Sequence, residues 1–201
     1  MDILSNGYKD MKGKDNMVLN IIKATLDDAY NLSYVHALSW KEAYKGIVPD
    51  EYAVTQTVES GIEKMQKMII NKPDANYIAE LDGKAIGRLA IHECYDEDLP
   101  DAGEIGALYI LPDFWGKGYG KEIAAFALKE LKSRGYSRVS LWTLEQSTRA
   151  TGFYERVGFV LDGAKKTLDF GIPLIAVRYR MELIFENTGN RKITVKRLAE
   201  K

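Results

Sequence analysis

Apolar and polar positions follow two periods along this chain, and each change of period marks an element. An apolar, β-branched run from Val18 to Ile22 predicts a first strand. Thr25, with Asp28 three residues on, has the form of a capping box in which Asp replaces Glu. The helix it opens places Ala29, Leu32, Val35, His36 and Ser39 on one side. Pro49-Asp50 interrupts the chain, and a second helical stretch from Thr57 to Ile70 carries Ile62, Met65 and Ile69 at helical spacing. Asn76 to Leu81, the turn signal Asp82-Gly83 and Ala85 to His92 form the pattern of a β-hairpin. After a polar loop from Tyr95 to Gly103 comes a strand from Ile105 to Leu111. Between Lys121 and Arg134 the residues Ile123, Ala124, Ala127, Leu128 and Leu131 recur at three and four, and Gly135 supplies the stop. A strand from Arg138 to Thr143, a short helix from Arg149 to Arg156 and a last long strand from Ile175 to Ile184 complete the series.

That order predicts an α/β fold, a mixed central sheet of about six or seven strands flanked by helices. No repeat and no Pro- or Ser-rich linker divides residues 17–185, which read as one domain. Residues 1–16 are polar enough to form a flexible arm, and residues 186–201 form a basic tail. The chain of 201 residues is long enough for a sizeable core, and a net charge of -1 gives no reason to expect nucleic acid or an anionic membrane as partner. The single cysteine, Cys94, rules out an internal disulfide, and with His36 and His92 as the two histidines no metal site is expected. No apolar stretch approaches the roughly 18 residues of a membrane helix, so the expected location is cytoplasmic.

The chemistry concentrates at Trp115-Gly116-Lys117-Gly118-Tyr119-Gly120-Lys121, where three glycines at two-residue spacing join an apolar run to a helical pattern. Glycine lets the backbone approach a ligand, and the amides that follow are the free donors of a helix N-terminus, a natural anion cradle. The residues argue against a nucleotide P-loop, because Glu122 follows Gly120-Lys121 in place of Ser or Thr and Trp115 stands where the opening glycine belongs. A dinucleotide fingerprint requires a small residue where this chain has Lys121. His92 and Cys94 share a strand face by alternation, the placement of a Cys-His nucleophile pair, but no orienting acid or oxyanion loop lies near them in sequence.

Three motifs in order resemble the GCN5-related N-acetyltransferases, the GNAT family. They are Glu104-Ile105-Gly106-Ala107-Leu108-Tyr109-Ile110, the glycine loop, and Arg149-Ala150 followed by Phe153-Tyr154-Glu155-Arg156-Val157-Gly158-Phe159. Trp115 stands where the family usually has Gln or Arg. The resemblance implies a GNAT fold and direct transfer of an acetyl group from acetyl-CoA to a primary amine, with no metal. It implies that Gly116, Gly118, Gly120 and the amides of Lys117, Tyr119 and Lys121 hold the pyrophosphate, while the backbone of Leu108, Tyr109 and Ile110 pairs with the pantetheine arm. Arg149 becomes a candidate for the phosphates, and Ser147 falls where relatives commonly carry an asparagine on that arm. By the same resemblance Glu104 accepts the amine proton, Tyr154 protonates the departing thiolate, and Trp40 and Tyr44 wall the acceptor pocket. The expected partner is a small-molecule or peptide amine, and the protein a monomer or homodimer. The rival reading is a non-catalytic acyl-CoA binding or sensing domain.

Overall fold

A computed structural model describes residues 18–183. The expected arm, the expected tail and Ile184 lie outside the described residues. The strands are β1 (Leu19–Lys23), β2 (Asn76–Leu81), β3 (Lys84–Glu93), β4 (Ala102–Ile110), β5 (Arg138–Leu144), β6 (Val160–Asp169) and β7 (Pro173–Glu182). The helices are α1 (Ala29–Ala43), α2 (Asp50–Ala53), α3 (Val58–Asn71), α4 (Tyr119–Ser133) and α5 (Thr148–Val157). All seven strands form one sheet, in the order β1-β2-β3-β4-β5-β7-β6. The β4–β5 neighbours run parallel and the others antiparallel.

Helices cover both faces because alternate strand residues are apolar on each. On one face Ile123, Ala127, Leu128 and Leu131 of α4 meet Leu89, Ile91, Ile105, Val139 and Leu141. On the other, Leu32 of α1 and Met65 and Ile69 of α3 pack with Ile78, while Trp40 packs with Val48, Leu144, Leu174 and Ala176. A 3-10 turn, Leu26–Asp28, precedes α1, and the Asp28 carboxylate accepts the Thr25 amide at 2.8 Å, the reciprocal half of the expected capping box.

The strand β6 escapes the sequence pattern. Its residues include Asp162, Gly163, Lys165 and Lys166, every one from Val160 to Asp169 is half or fully exposed, and its register against β7 shifts between Leu161 and Lys165. It is an edge strand, where exposed lysines and a bulge guard against edge-to-edge pairing and erase the apolar alternation that marks interior strands. β4 likewise begins at Ala102, inside the stretch expected to be loop.

Two features of β4 position the site. Its parallel ladder with β5 has three rungs, Ala102↔Arg138, Gly103↔Val139 and Glu104↔Ser140, after which the strands part. Against β3, Ala107 faces Ala90 and Ile105 faces Ile91, so Gly106 is an extra residue. That bulge returns Glu104, Ala107 and Tyr109 to the same face, opposite His92, Ala90 and Arg88.

The loop between β3 and β4 is fastened by Arg178 of β7, which is buried and donates to Asp96 at 3.0 Å, Asp98 at 2.5 Å and Asp162 at 2.7 Å. Trp142 adds an indole hydrogen bond to Asp96 at 3.0 Å. Replacing Arg178 by Ala strands the buried Asp162 carboxylate, and the expected cost is about 3–5 kcal/mol. Urea unfolding of the R178A protein checks this, and the D162A/R178A double variant is expected to recover part of the loss.

Candidate active site

Where β4 and β5 part, a cavity of about 360 Å³ opens, lined by Gly106 to Ile110 on one side and by Trp142, Thr143, Ser147 and Tyr154 on the other. From Ile105 onward the β4 edge that faced β5 has no strand partner, so its backbone can receive an extended ligand as an added strand. Leu108, Tyr109 and Ile110, the residues expected to do this, all line the cavity.

The glycine loop forms the mouth. Gly116 and Gly118 take φ of 74° and 98°, the left-handed region that favours glycine, and Gly118 is the residue from which α4 starts. The amides from Gly116 to Gly120 have no acceptor among the described residues. The Lys121 amide differs from expectation, since it already donates to the Gly118 carbonyl at 2.9 Å. The cradle therefore ends one residue earlier, and its free donors together with the positive end of α4 suit a pyrophosphate. Gly116, Gly118, Gly120 and the Lys121 side chain line the cavity, whereas Lys117 and Tyr119 turn toward Phe114.

Trp115 has a structural role that its family position does not imply. Its indole N–H donates to the Ile110 carbonyl at 2.7 Å, clipping the loop to the end of β4, and the Arg149 guanidinium lies 4.2 Å from the ring centroid. Arg149 is thereby held at the cavity mouth, a cation stacked on an aromatic face. Ser147 is buried on the wall.

Three phenols meet inside. Tyr44, Tyr109 and Tyr154 all line the cavity, and burial raises the pKa of each above the ordinary tyrosine value. The Tyr154 hydroxyl therefore keeps its proton at any working pH and is available as a donor. Trp40 corrects the sequence expectation: it is 6% exposed, packed against Tyr44, Tyr52 and Phe170, and does not line the cavity. It supports Tyr44 from below.

Glu104 sits on the last rung before the strands part, and it is absent from the cavity wall. Burial, with Asp96 nearby, raises its pKa, while His92 and Lys166 act in the opposite sense. Its cross-strand partner His92 is the residue that reaches open space. His92 Nδ1 lies 2.7 Å from the Glu93 carbonyl, which can only accept, so the neutral ring carries its proton there and leaves Nε2 with a lone pair. Nε2 lies so close over Gly106 that a Cβ there would sit 2.3 Å from it. Sequence alternation paired His92 with Cys94 instead. Cys94 is buried, its sulfur accepts from Ser140 at 3.2 Å, and burial pushes its thiol pKa up, so it is no activated nucleophile.

A second cavity, of about 670 Å³, lies across β4 between α1, α3 and β3, and Gly106, Ala107 and Tyr109 line both. His36, Arg88 and His92 face it.

The family model described as acetyltransferase (GNAT) family matches residues 26–159. The chain belongs to the GNAT family. An uncharacterized N-acetyltransferase of Methanocaldococcus jannaschii is 26% identical over 148 residues, covering 73% of this chain and 61% of that protein. A spermidine N(1)-acetyltransferase of Thermoplasma acidophilum is 27% identical over 151 residues, covering 73% of this chain and 91% of that one. Among solved structures, the PaiA N-acetyltransferase of Thermoplasma acidophilum in complex with coenzyme A superposes with a TM-score of 0.66 at 24% identity, over 83% of this chain and 99% of that one. The sheet flanked by helices is thus the GNAT fold.

Within this GNAT chain, Trp115→Phe removes the clip to Ile110 but keeps an aromatic face for Arg149. The expected cost is about 0.5–1.5 kcal/mol, read as a lower denaturant midpoint with unchanged slope.

Proposed function

We propose that this protein transfers an acetyl group from acetyl-CoA directly to a primary amine. The observation that carries this reading is the parting of β4 and β5 beside a helix N-terminus with free amides, a slot for a thioester whose phosphates rest on α4. The amides of Gly116, Lys117, Gly118, Tyr119 and Gly120 hold the pyrophosphate, with Arg149 and Lys121 supplying charge. The open β4 edge from Leu108 to Ile110 receives the pantetheine arm, and Ser147 lies on the opposite wall. The structures of relatives bound to coenzyme A accord with this cofactor. Its setting is taken to be cytoplasmic.

The amine nitrogen attacks the thioester carbonyl carbon once it has lost its proton. We assign the first acceptor of that proton to His92 Nε2, which overhangs the glycine common to both cavities and whose residue is the cross-strand partner of Glu104. The tetrahedral adduct gives up the remaining N–H⁺ proton to water and then collapses. The C–S bond breaks, the electron pair stays on sulfur, and the thiolate takes the Tyr154 hydroxyl proton. The released phenolate is re-protonated from solvent. Tyr109 and Tyr44 flank the reacting carbon and exclude water from it.

Thiol release from acetyl-CoA with a panel of primary amines tests the activity. Glu104→Gln, His92→Gln and Tyr154→Phe are each expected to lower kcat by about 10²-fold or more. Full activity in all three would remove these assignments while leaving the fold. Because burial raises the Glu104 pKa, the carboxylate exists only above that raised value, so kcat falls as pH drops through a point above the ordinary 4.5. Glu104→Gln is expected to lose this component of the acid limb and to keep the part that protonation of the base itself imposes.

A further inference from the structure

The second cavity contains a buried cation without an anion. Arg88 is 3% exposed, and its contacts are Nη1 with His36 Nδ1 at 3.1 Å and Nη2 with the Met68 sulfur at 3.4 Å. Its Nε has no partner. A guanidinium donates only, so His36 Nδ1 must accept, and the imidazole is therefore neutral. Burial and the neighbouring Arg88 agree with this, pushing the His36 pKa down to about 3. Both partners of this buried charge are uncharged.

The other charged residues on the wall do not compensate it. Glu63 is paired with Lys67 at 2.6 Å, and Lys72 is paired with Glu93 at 2.6 Å. Lys64, which also lines the cavity, has no carboxylate partner among the described residues. The cavity thus holds two cations whose counter-charge the described residues do not supply. A buried arginine in this state is costly unless something anionic arrives, and its planar fork matches a carboxylate.

We propose that this cavity binds the acceptor, and that the acceptor carries a carboxylate beside its amine, held by Arg88 and Lys64. The inference rests on the transferase reading above for the fate of the amine. Arg88 and Tyr109 are cross-strand partners, and Tyr109 lines both cavities, so a carboxylate on Arg88 would lie one strand away from the cavity assigned to the thioester, with the amine directed toward it. The same charges disfavour a polyamine, whose ammonium groups would meet two uncompensated cations and a lining carboxylate, Glu63, already paired with Lys67.

Calorimetry on the full chain without acetyl-CoA decides this inference, and thiol release decides the transferase reading, so the two fail separately. The probes are β-alanine with ethylamine, γ-aminobutyrate with n-propylamine, lysine with cadaverine, and spermidine. Carboxylate-bearing probes are expected to bind about tenfold to a hundredfold more tightly than their decarboxylated counterparts. Arg88→Met is expected to erase the difference and to leave the unliganded protein as stable or more stable, since it removes an uncompensated charge. The exposed Lys64→Gln, which threatens the fold least, is expected to weaken carboxylate binding several-fold. Binding that ignores the carboxylate, a preference for spermidine, carboxylate binding unchanged in both variants, or no binding of any probe would each overturn the proposal.

Discussion

Everything at this site depends on two strands that run side by side for three rungs and then separate. A parallel pair held to its end would close the sheet and leave no edge, no cavity and no path for a thioester. Here the ladder ends at Glu104 and Ser140, and the next residues of each strand become opposite walls. The Gly106 bulge falls at the point of separation, bending β4 away and leaving room for the His92 ring directly above. The acyl slot, the proposed base and the wall shared by the two cavities thus arise from one irregularity in one strand.

Separated strands are an energetic liability, and the surroundings hold them apart. α4 spans β3, β4 and β5 with a dry apolar face, so the side of β4 away from the acceptor cannot collapse into the gap. At the closed end Arg178 ties the β3–β4 loop to β7 and β6. Trp142 lies between that network and the cavity, donating to Asp96 on one side with the Lys166 ammonium 3.9 Å from its ring on another. At the open end Trp115 fixes the glycine loop to β4. An indole does here what a flexible polar side chain would not do, because it supplies both a directed donor and a platform for Arg149.

The parts legible in the sequence were those with a period or a fixed local chemistry. The two apolar faces of α4 and α1, the Asp82-Gly83 hairpin and the glycines before α4 each leave a mark within a few residues, and each forms as expected. The edge strand β6 left none, because its exposed lysines follow solvent exposure and not core alternation. The family resemblance puts Trp40 on the pocket wall, and the local pattern of an aromatic does not distinguish a ring facing a ligand from the buried, packed ring found here. The pairing of His92 with Glu104 is set by strand register across a bulge, and the isolation of Arg88 by three elements distant in sequence. Neither is encoded locally.

The two buried arginines on the acceptor face illustrate what such isolation means. Arg178 and Arg88 are buried to nearly the same degree, at 5% and 3% exposure. Arg178 is saturated by three carboxylates, which raise its pKa, whereas desolvation lowers that of Arg88 to about 10. Both side chains are enclosed by the fold, and in only one case do the described residues supply carboxylates to the guanidinium. A protein that can enclose one guanidinium in aspartates has the means to do so twice. The second is surrounded by an imidazole and a thioether, and the described residues supply it no carboxylate, the gap that the proposed acceptor carboxylate would fill.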